Sequence, residues 1–310
     1  MDPGDIVVDF GEYRPLMFSI AYRMTGSISD AEDIVQEAFL RITRALRDGT
    51  QIESPKAFAA TVTTRLAITH QTSARVRRES YVGAWLPEPL IVDEHDPADR
   101  VEMADSLSMA FLLMLETLTP TERAVFLLHE VFAYDYKEIA GVVGKSEPNC
   151  RQILTRARRR VHEQPRFESS REQGEQVARR FLAAVEGGDL DGLLALLAPD
   201  ATMIGDGGGK AMVLNSALTG SERIARFLLG LMRRFSKVGT TFEVTPVNGG
   251  PGAISYDAEH QVIGVFSLDI ADGQVRNVRS IVNPDKLRHL GPVSDLALIP
   301  SRDLPCPPWT

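Results

Sequence analysis

One stretch of this sequence carries the residue types that read a nucleic acid. Asn149, Arg151, Gln152, Thr155, Arg156, Arg158 and Arg159 supply hydrogen-bond donors and cations, while Cys150, Ile153, Leu154, Ala157 and Val161 recur at helical spacing. On one helix the two sets take opposite faces, one to pack and one to meet base edges and phosphates. Arg151, Gln152 and Thr155 come early, where a recognition helix touches bases. Arg158 to Arg160 come late, where phosphates are the expected partners. A short helix over residues 136–143 (YKEIAGVV) precedes it, broken by Gly144-Lys145-Ser146. Ser146 suits a cap and Pro148 the first turn of the next helix. The same division of faces also fits a solvated basic surface on an ordinary helical hairpin, and periodicity does not separate the two. A capping box at Thr119-Pro120-Thr121-Glu122 opens a third helix, which makes a trihelical unit and favours DNA binding. Cys150 lies on the apolar stripe and is expected to act as a small buried hydrophobe.

A second basic cluster, Arg75, Arg77 and Arg78, ends a helical pattern that starts at Ser54-Pro55 and passes through Phe58, Val62, Leu66 and Ile68. Arg65 lies on the same segment. Ser29-Asp30-Ala31-Glu32 is another capping box, followed by Ile34, Val35, Ala38, Phe39 and Ile42 on one face and Asp33, Gln36, Glu37 and Arg41 on the other. The chain of 310 residues has a net charge of −8, which in bulk argues against phosphate binding. The distribution reverses that argument. Acidic residues collect between Asp93 and Asp105, away from both arginine clusters, as suits local DNA contacts beside a second partner.

These segments divide the chain. Residues 1–82 and 106–164 read as all-helical domains joined by a linker, 83–105, holding Gly83, Pro87, Pro89, Pro97 and the acidic run. From about residue 172 to 290 the pattern becomes α+β. Helices over 176–185 and 190–197 precede strands at 200–204, 240–246, 252–256, 261–271 and 274–282. Asp272-Gly273 joins the last two as a hairpin, and Val262, Phe266, Leu268 and Ile270 share one strand face. Residues 291–310 read as a loose tail. The acidic start MDPGDIVVDF is no signal peptide, and the most apolar run, Ala110 to Leu115, is too short to span a membrane. Two cysteines give neither a disulfide framework nor a metal spacing, so a reducing cytoplasm is expected, without metal or cofactor.

The segment from Tyr22 to Arg41 (YRMTGSISDAEDIVQEAFLR) resembles region 2 of the extracytoplasmic-function (ECF) sigma factors, with a complete D-A-E-D-x-x-Q-E-x-F-x-R pattern. The helix-turn-helix resembles region 4 of the same family. The resemblance covers about the first half of the chain. It implies that Asp30, Asp33, Gln36, Glu37 and Arg41 dock on the β′ clamp helices of core RNA polymerase. It also implies that region 4 sits at the β flap and that Arg65, Arg75, Arg77 and Arg78 hold promoter strands opened at the −10 element. Thr64 and Thr69 depart from the Asn and Asp of many relatives. The acidic linker would lie in the polymerase's basic RNA channel, or simply stay solvated and extended.

The last 140 or so residues resemble a SnoaL-like domain of the cone-shaped NTF2-like class. Three short pieces match the SigJ-like group that carries this extension: Trp85-Leu86-Pro87-Glu88-Pro89, Asp206-Gly207-Gly208-Gly209-Lys210 and Asn283-Pro284-Asp285-Lys286. The resemblance implies that the extension contacts the linker and tunes activity in place of a separate anti-sigma protein. By its own chemistry Asp206–Lys210 is a glycine-rich turn and not a P-loop, since Ala211 stands where Ser or Thr would hold magnesium. It equally fits an ordinary surface turn. Lys210 has Asp285 or Glu88 as candidate partners, and Trp85 is either an anchor into a neighbouring domain or cover for the first domain's core. Asp200, Asp206, Tyr256, Asp257 and His260 are the residues available for SnoaL-type acid–base chemistry, but they form no recognisable pair in sequence, so no catalytic residue is assigned. A small ligand in the cone stays open, as do an enzyme fused to a DNA-binding region and a ligand-responsive repressor. The expected architecture is therefore multidomain: two all-α sigma domains followed by an α+β NTF2/SnoaL-like cone.

Overall fold

A computed structural model describes residues 10–91, 107–162, 171–211, 213, 214, 216–235 and 239–295. The chain divides into two compact units, Met1–Ser80 with Phe111–Pro165, and Tyr81–Ala110 with Arg166–Thr310.

The first unit is helical. Helix α1 (Arg14–Thr25) ends at Gly26, whose φ of 68° supports a left-handed cap. Ser27 then caps α2 (Ile28–Arg47), its side chain accepting from the Asp30 amide. Ile34, Val35, Ala38 and Ile42 are buried, as the spacing predicts. Helix α3 (Pro55–Glu79) starts with Ser54 accepting from Ala57, and its Ala59 joins Phe10, Met17, Val35, Ala38 and Ile42 in one core. Phe58 packs against that core rather than standing free as a stacking platform. Helix α4 (Met109–Leu115) follows. Helix α5 (Pro120–Glu130) carries the complete Thr119/Glu122 capping box, α6 (Tyr136–Val143) carries a second at Asp135/Glu138, and α7 (Glu147–His162) follows Gly144 at φ 66°. Cys150, Ile153, Leu154, Ala157 and Val161 are all buried, so the apolar stripe of α7 is its packing face.

The second unit is α+β. Helices α8 (Arg171–Gly187) and α9 (Leu190–Leu196) lead into a six-stranded sheet of β1 (Leu197–Asp206), β2 (Leu218–Thr219), β3 (Thr241–Val244), β4 (Gly252–Tyr256), β5 (Val262–Ala271) and β6 (Gln274–Ile281). The order is β2-β1-β6-β5-β4-β3, with β1 and β6 parallel and the other pairs antiparallel. Asp272 and Gly273 both take positive φ, as a two-residue hairpin of the expected kind requires. The strand pattern leaves residues 205–239 unassigned. There the structure places a long helix, α10 (Ser221–Phe235), whose Ile224, Ala225, Leu228 and Leu229 recur at helical spacing. They pack with Phe181, Leu182, Leu193, Leu196, Met203, Leu268, Ile270 and Val278 between helices and sheet. Phe266 borders this core with Leu268 and Ile270, but Val262 does not, because a register shift between Val262 and Gly264 re-aims it.

Two expectations change. The start of the tail is not loose: Val262 donates to the Pro292 carbonyl (2.8 Å), Ser294 to the Val262 carbonyl (2.9 Å), and the Ser294 hydroxyl to Asp257. The first part of the linker is not extended in solvent, and in agreement with the expectation that the extension contacts it, Leu86, Pro87, Glu88 and Pro89 are buried in the second unit. The acidic run Asp93–Asp105, and the tail beyond residue 295, lie outside the described residues.

Candidate nucleic-acid interface and linker clasp

On α7, Arg151, Gln152, Thr155, Arg156 and Arg159 are exposed and Asn149 is half-buried, opposite the packed stripe. Arg151 is pre-aimed. Its guanidinium carbon lies 4.7 Å from the Tyr136 ring centre and its Nη2 3.3 Å from Glu147. Thr155 donates to the Arg151 carbonyl and keeps acceptor capacity outward. Arg158 and Arg160 act differently from Arg159: Arg158 pairs with Glu130 at 2.7 Å and Arg160 with Glu122 at 2.8 Å, so both tie α7 to α5. Burial opposes ionisation of these glutamates. For Glu122 the Thr119 hydrogen bonds and Arg160 outweigh it, and for Glu130 Arg158 and His129 do, so both acids are held below the usual range.

On α2, Asp33, Gln36 and Arg41 are exposed, and Arg41 Nε donates to Glu37 at 2.8 Å. Asp30 lies 3.4 Å from His70. Leu40 stands in the middle of this charged face with 54% of its surface exposed. Sequence reading missed it because only burial, not residue type, separates it from the packed Ile34 and Ile42.

On α3 the expected DNA residues diverge. Arg65 is exposed, yet its Nε donates to the Val142 carbonyl (3.0 Å) and its Nη2 to the Gly141 carbonyl (2.7 Å), both at the end of α6. Thr64 is fully buried and Thr69 exposed, its hydroxyl turned back to the Arg65 carbonyl. Arg75, Arg77 and Arg78 fall on the last turns of α3, and their side chains lie outside the described part of the structure.

The three short pieces singled out in the second unit come together around Asp206, the last residue of β1. Its carboxylate is wholly buried and accepts from Tyr81 Oη (2.5 Å), Leu86 N (2.8 Å), Gly208 N (3.1 Å) and Lys286 Nζ (2.7 Å). Lys286 also donates to the Leu86 carbonyl and lies 4.4 Å from the Trp85 ring centre and 5.1 Å from that of Tyr81. Four partners for one buried carboxylate, and two carbonyl or carboxylate acceptors plus two ring faces for one buried ammonium, are what such charges need away from water. Asn283 Nδ2 donates to Tyr81 Oη (2.8 Å), while its Oδ1 accepts from Asp285 and caps the short helix α11 (Pro284–Leu287), in which Pro284 takes the first turn. Burial, and then the Asp206 carboxylate, raise the Tyr81 hydroxyl far above the ordinary tyrosine range, so it remains a donor.

The glycines have a steric reason. A Cβ on Gly207 would stand 2.2 Å from the Ala211 carbonyl oxygen, and one on Gly208, at φ 57°, 2.2 Å from Asn283 Nδ2. Gly209 faces Val82. Lys210 pairs with Asp285, not Glu88. The clasp extends through residues no linear pattern announces. Leu90 and Asn248 exchange two hydrogen bonds (3.1 and 2.7 Å), and His289 Nε2 lies 2.8 Å from the Pro89 carbonyl.

Residues 10–77 match the family described as Sigma-70 region 2, residues 108–161 Sigma-70, region 4, and residues 178–282 the SnoaL-like domain. The chain is 39% identical over 293 residues to the ECF RNA polymerase sigma factor SigJ of Mycobacterium tuberculosis, covering 90% of this chain and 92% of that one. The chain belongs to the ECF RNA polymerase sigma factors. It is 36% identical to a probable ECF sigma factor, SigI, of the same organism, over 89% of this chain and 92% of the relative. The crystal structure of Mycobacterium tuberculosis SigJ superposes with a TM-score of 0.72 at 36% identity, over 91% of this chain and 98% of that one.

In this sigma factor the five residues available for SnoaL-type chemistry do not gather at one point, although Tyr256, Asp257 and His260 adjoin in one turn. Asp200 pairs with Arg276 at the surface, Asp206 belongs to the clasp, His260 stacks on Tyr256, and Asp257 accepts from Glu259, Gln261 and Ser294 to fix the loop before β5. Among the described residues no group of three acidic, His or Cys side chains is placed to hold a metal ion, and no helix is long and apolar enough to cross a membrane.

Proposed function

We propose that this sigma factor recruits core RNA polymerase to a subset of promoters and that its SnoaL-like domain regulates it intramolecularly by holding the linker. The reading rests above all on the Asp206 clasp, whose partners span Tyr81 to Lys286. A buried carboxylate and ammonium that grip one backbone segment set a definite, breakable state for it. Polymerase docking falls to Asp30, Asp33, Gln36, Glu37 and Arg41 on the β′ clamp helices, with region 4 at the β flap; such charge patterns favour orientation and on-rate. Arg151, Gln152 and Thr155 are the base-reading residues, aided by Asn149. Arg156 and Arg159, with Arg65, Arg75, Arg77 and Arg78, meet phosphates. The regulatory set is Trp85 to Pro89, Asp206 to Lys210 and Asn283 to Lys286. As functional units we assign residues 1–82, 106–164 and 172–290. No observation favours a SnoaL-type reaction or a ligand in the cone, and likeness of fold carries neither.

The test is in vitro transcription with purified core polymerase, comparing the full chain with one ending near His162, on templates from the gene's own upstream region. Promoter-specific RNA from either form is expected, at different levels. No RNA from either, together with no core binding, would end the sigma reading. Equal RNA from both would end the regulatory one.

A further inference from the structure

At the ends of two helices in the first unit, three successive carbonyls can each be traced to their donors. The last turn of any helix leaves backbone oxygens without an intrahelical donor. At the end of α1, the Tyr22 oxygen accepts from Gly26 N and the Met24 oxygen from Gln71. The Arg23 oxygen between them accepts from Nε of Arg123, a region 4 residue on α5, at 2.9 Å. At the end of α6 the Ala140 oxygen accepts from Gly144 N and Lys145 N. The next two, Gly141 and Val142, accept from the guanidinium of Arg65, a region 2 residue. Each sigma region thus supplies an arginine that caps a helix C-terminus of the other, where backbone charge is negative and a cation is favoured. The two contacts differ in depth: Arg123 is 1% exposed and also pairs with Glu116, whereas Arg65 is exposed.

We infer that this reciprocal arginine capping is a latch that closes regions 2 and 4 on each other in the free chain, with Arg65 as its releasable half. The inference rests on the sigma reading for one consequence only. A guanidinium bound to the α6 carbonyls is not available to a promoter phosphate, so strand capture and latch closure exclude each other at Arg65. Arg123 is the buried pivot and Arg65 the solvent-reachable fork, made by a planar group that satisfies two carbonyls at once.

The test uses the full chain with Cys306 replaced by serine and nitroxide labels on Asp48→Cys and Lys137→Cys, both at exposed positions. Pulsed EPR reads the distance between regions without any polymerase. The otherwise unaltered chain should give one narrow population. Arg65→Ala and Arg65→Lys, which lose the two-carbonyl fork at a surface position, should each raise the longer-distance population about three- to ten-fold. With core polymerase and a forked promoter template, Arg65→Lys should lose less affinity than Arg65→Ala, because an ammonium still meets a phosphate. A broad distribution in the unaltered chain, or no shift in either variant, would overturn the latch. Equal losses of template affinity would overturn the shared use of Arg65. If the variants open but the unaltered chain makes no promoter-specific RNA with core polymerase, the latch stands and the sigma reading falls.

Discussion

Replacing Asp206 by asparagine keeps the shape of the side chain and removes its charge. The native carboxylate is wholly buried, and Lys286 beside it is 8% exposed. Removing one partner of a buried pair leaves the other charge uncompensated, at a cost of about 3–5 kcal/mol. One of the two oxygens also becomes a donor and faces Tyr81, Leu86, Gly208 or Lys286, all of which donate. Taking about 3 kcal/mol as the loss borne by the clasp, and 1.4 kcal/mol per factor of ten, opening of the 81–91 segment becomes about 100-fold easier. Hydrogen–deuterium exchange of the Leu86 amide, which donates directly to Asp206, reads this opening. Asp285→Asn is the control, since its pair with Lys210 is exposed and such pairs contribute about 0–1 kcal/mol. If Leu86 exchange rises no more in Asp206→Asn than in the control, the clasp does not hold the linker.

Other outcomes follow from the same geometry. Arg151→Ala should weaken binding to the preferred promoter by about 1–3 kcal/mol and relax preference at one base position, read by competition binding across single-base variants. Leu40→Asp should weaken core binding about ten-fold or more while leaving thermal unfolding unchanged, because this side chain stands exposed amid the charges of α2; unchanged affinity in a pull-down titration would exclude it from the interface. Glu122 and Glu130 have folded-state values lowered from 4.5, so their stabilising contribution is present above that value and lost as pH falls through the lower one. Thermal stability should therefore fall below about pH 4.5, and Glu122→Gln should flatten that acid limb.

Helices with amphipathic spacing and explicit caps were legible from sequence alone. Thr119 opens α5 where its capping box indicates, and Cys150 proved a packed hydrophobe. Helix α2, by contrast, is capped by Ser27, two residues before the Ser29 that the Ser29–Glu32 pattern indicates, because the Ser27 side chain is the one that accepts from the Asp30 amide. The Asp272-Gly273 hairpin was legible for the same local reason. Helix α10 was not, because Gly230 and the surrounding Leu and Phe residues read equally as loop or strand until Ile224 and Leu228 are counted together. At the clasp, the three short pieces were visible as residues, but their meeting at one carboxylate depends on contacts across 80 to 200 positions. Tyr81, Asn248 and His289 carry no local signature. Arg65 shows the limit in the other direction. Its type and place suggested phosphate, and only its contact with the terminal carbonyls of α6 reveals a competing partner within the chain.

The order of the strands gives the clasp a place in time. Strand β6 is the last made, yet it sits in the interior of the sheet, parallel to β1 and antiparallel to β5. Asn283 and Lys286, which follow it directly, close on Tyr81 and Leu86 some 200 residues upstream. During synthesis both sigma regions emerge and can fold before the keystone of the clasp exists. A growing chain therefore passes through a stage in which the linker is unclasped, and any event that removes the final segment, whether a premature stop or a protease cut after β6, returns the protein to that stage with its DNA-reading helices intact.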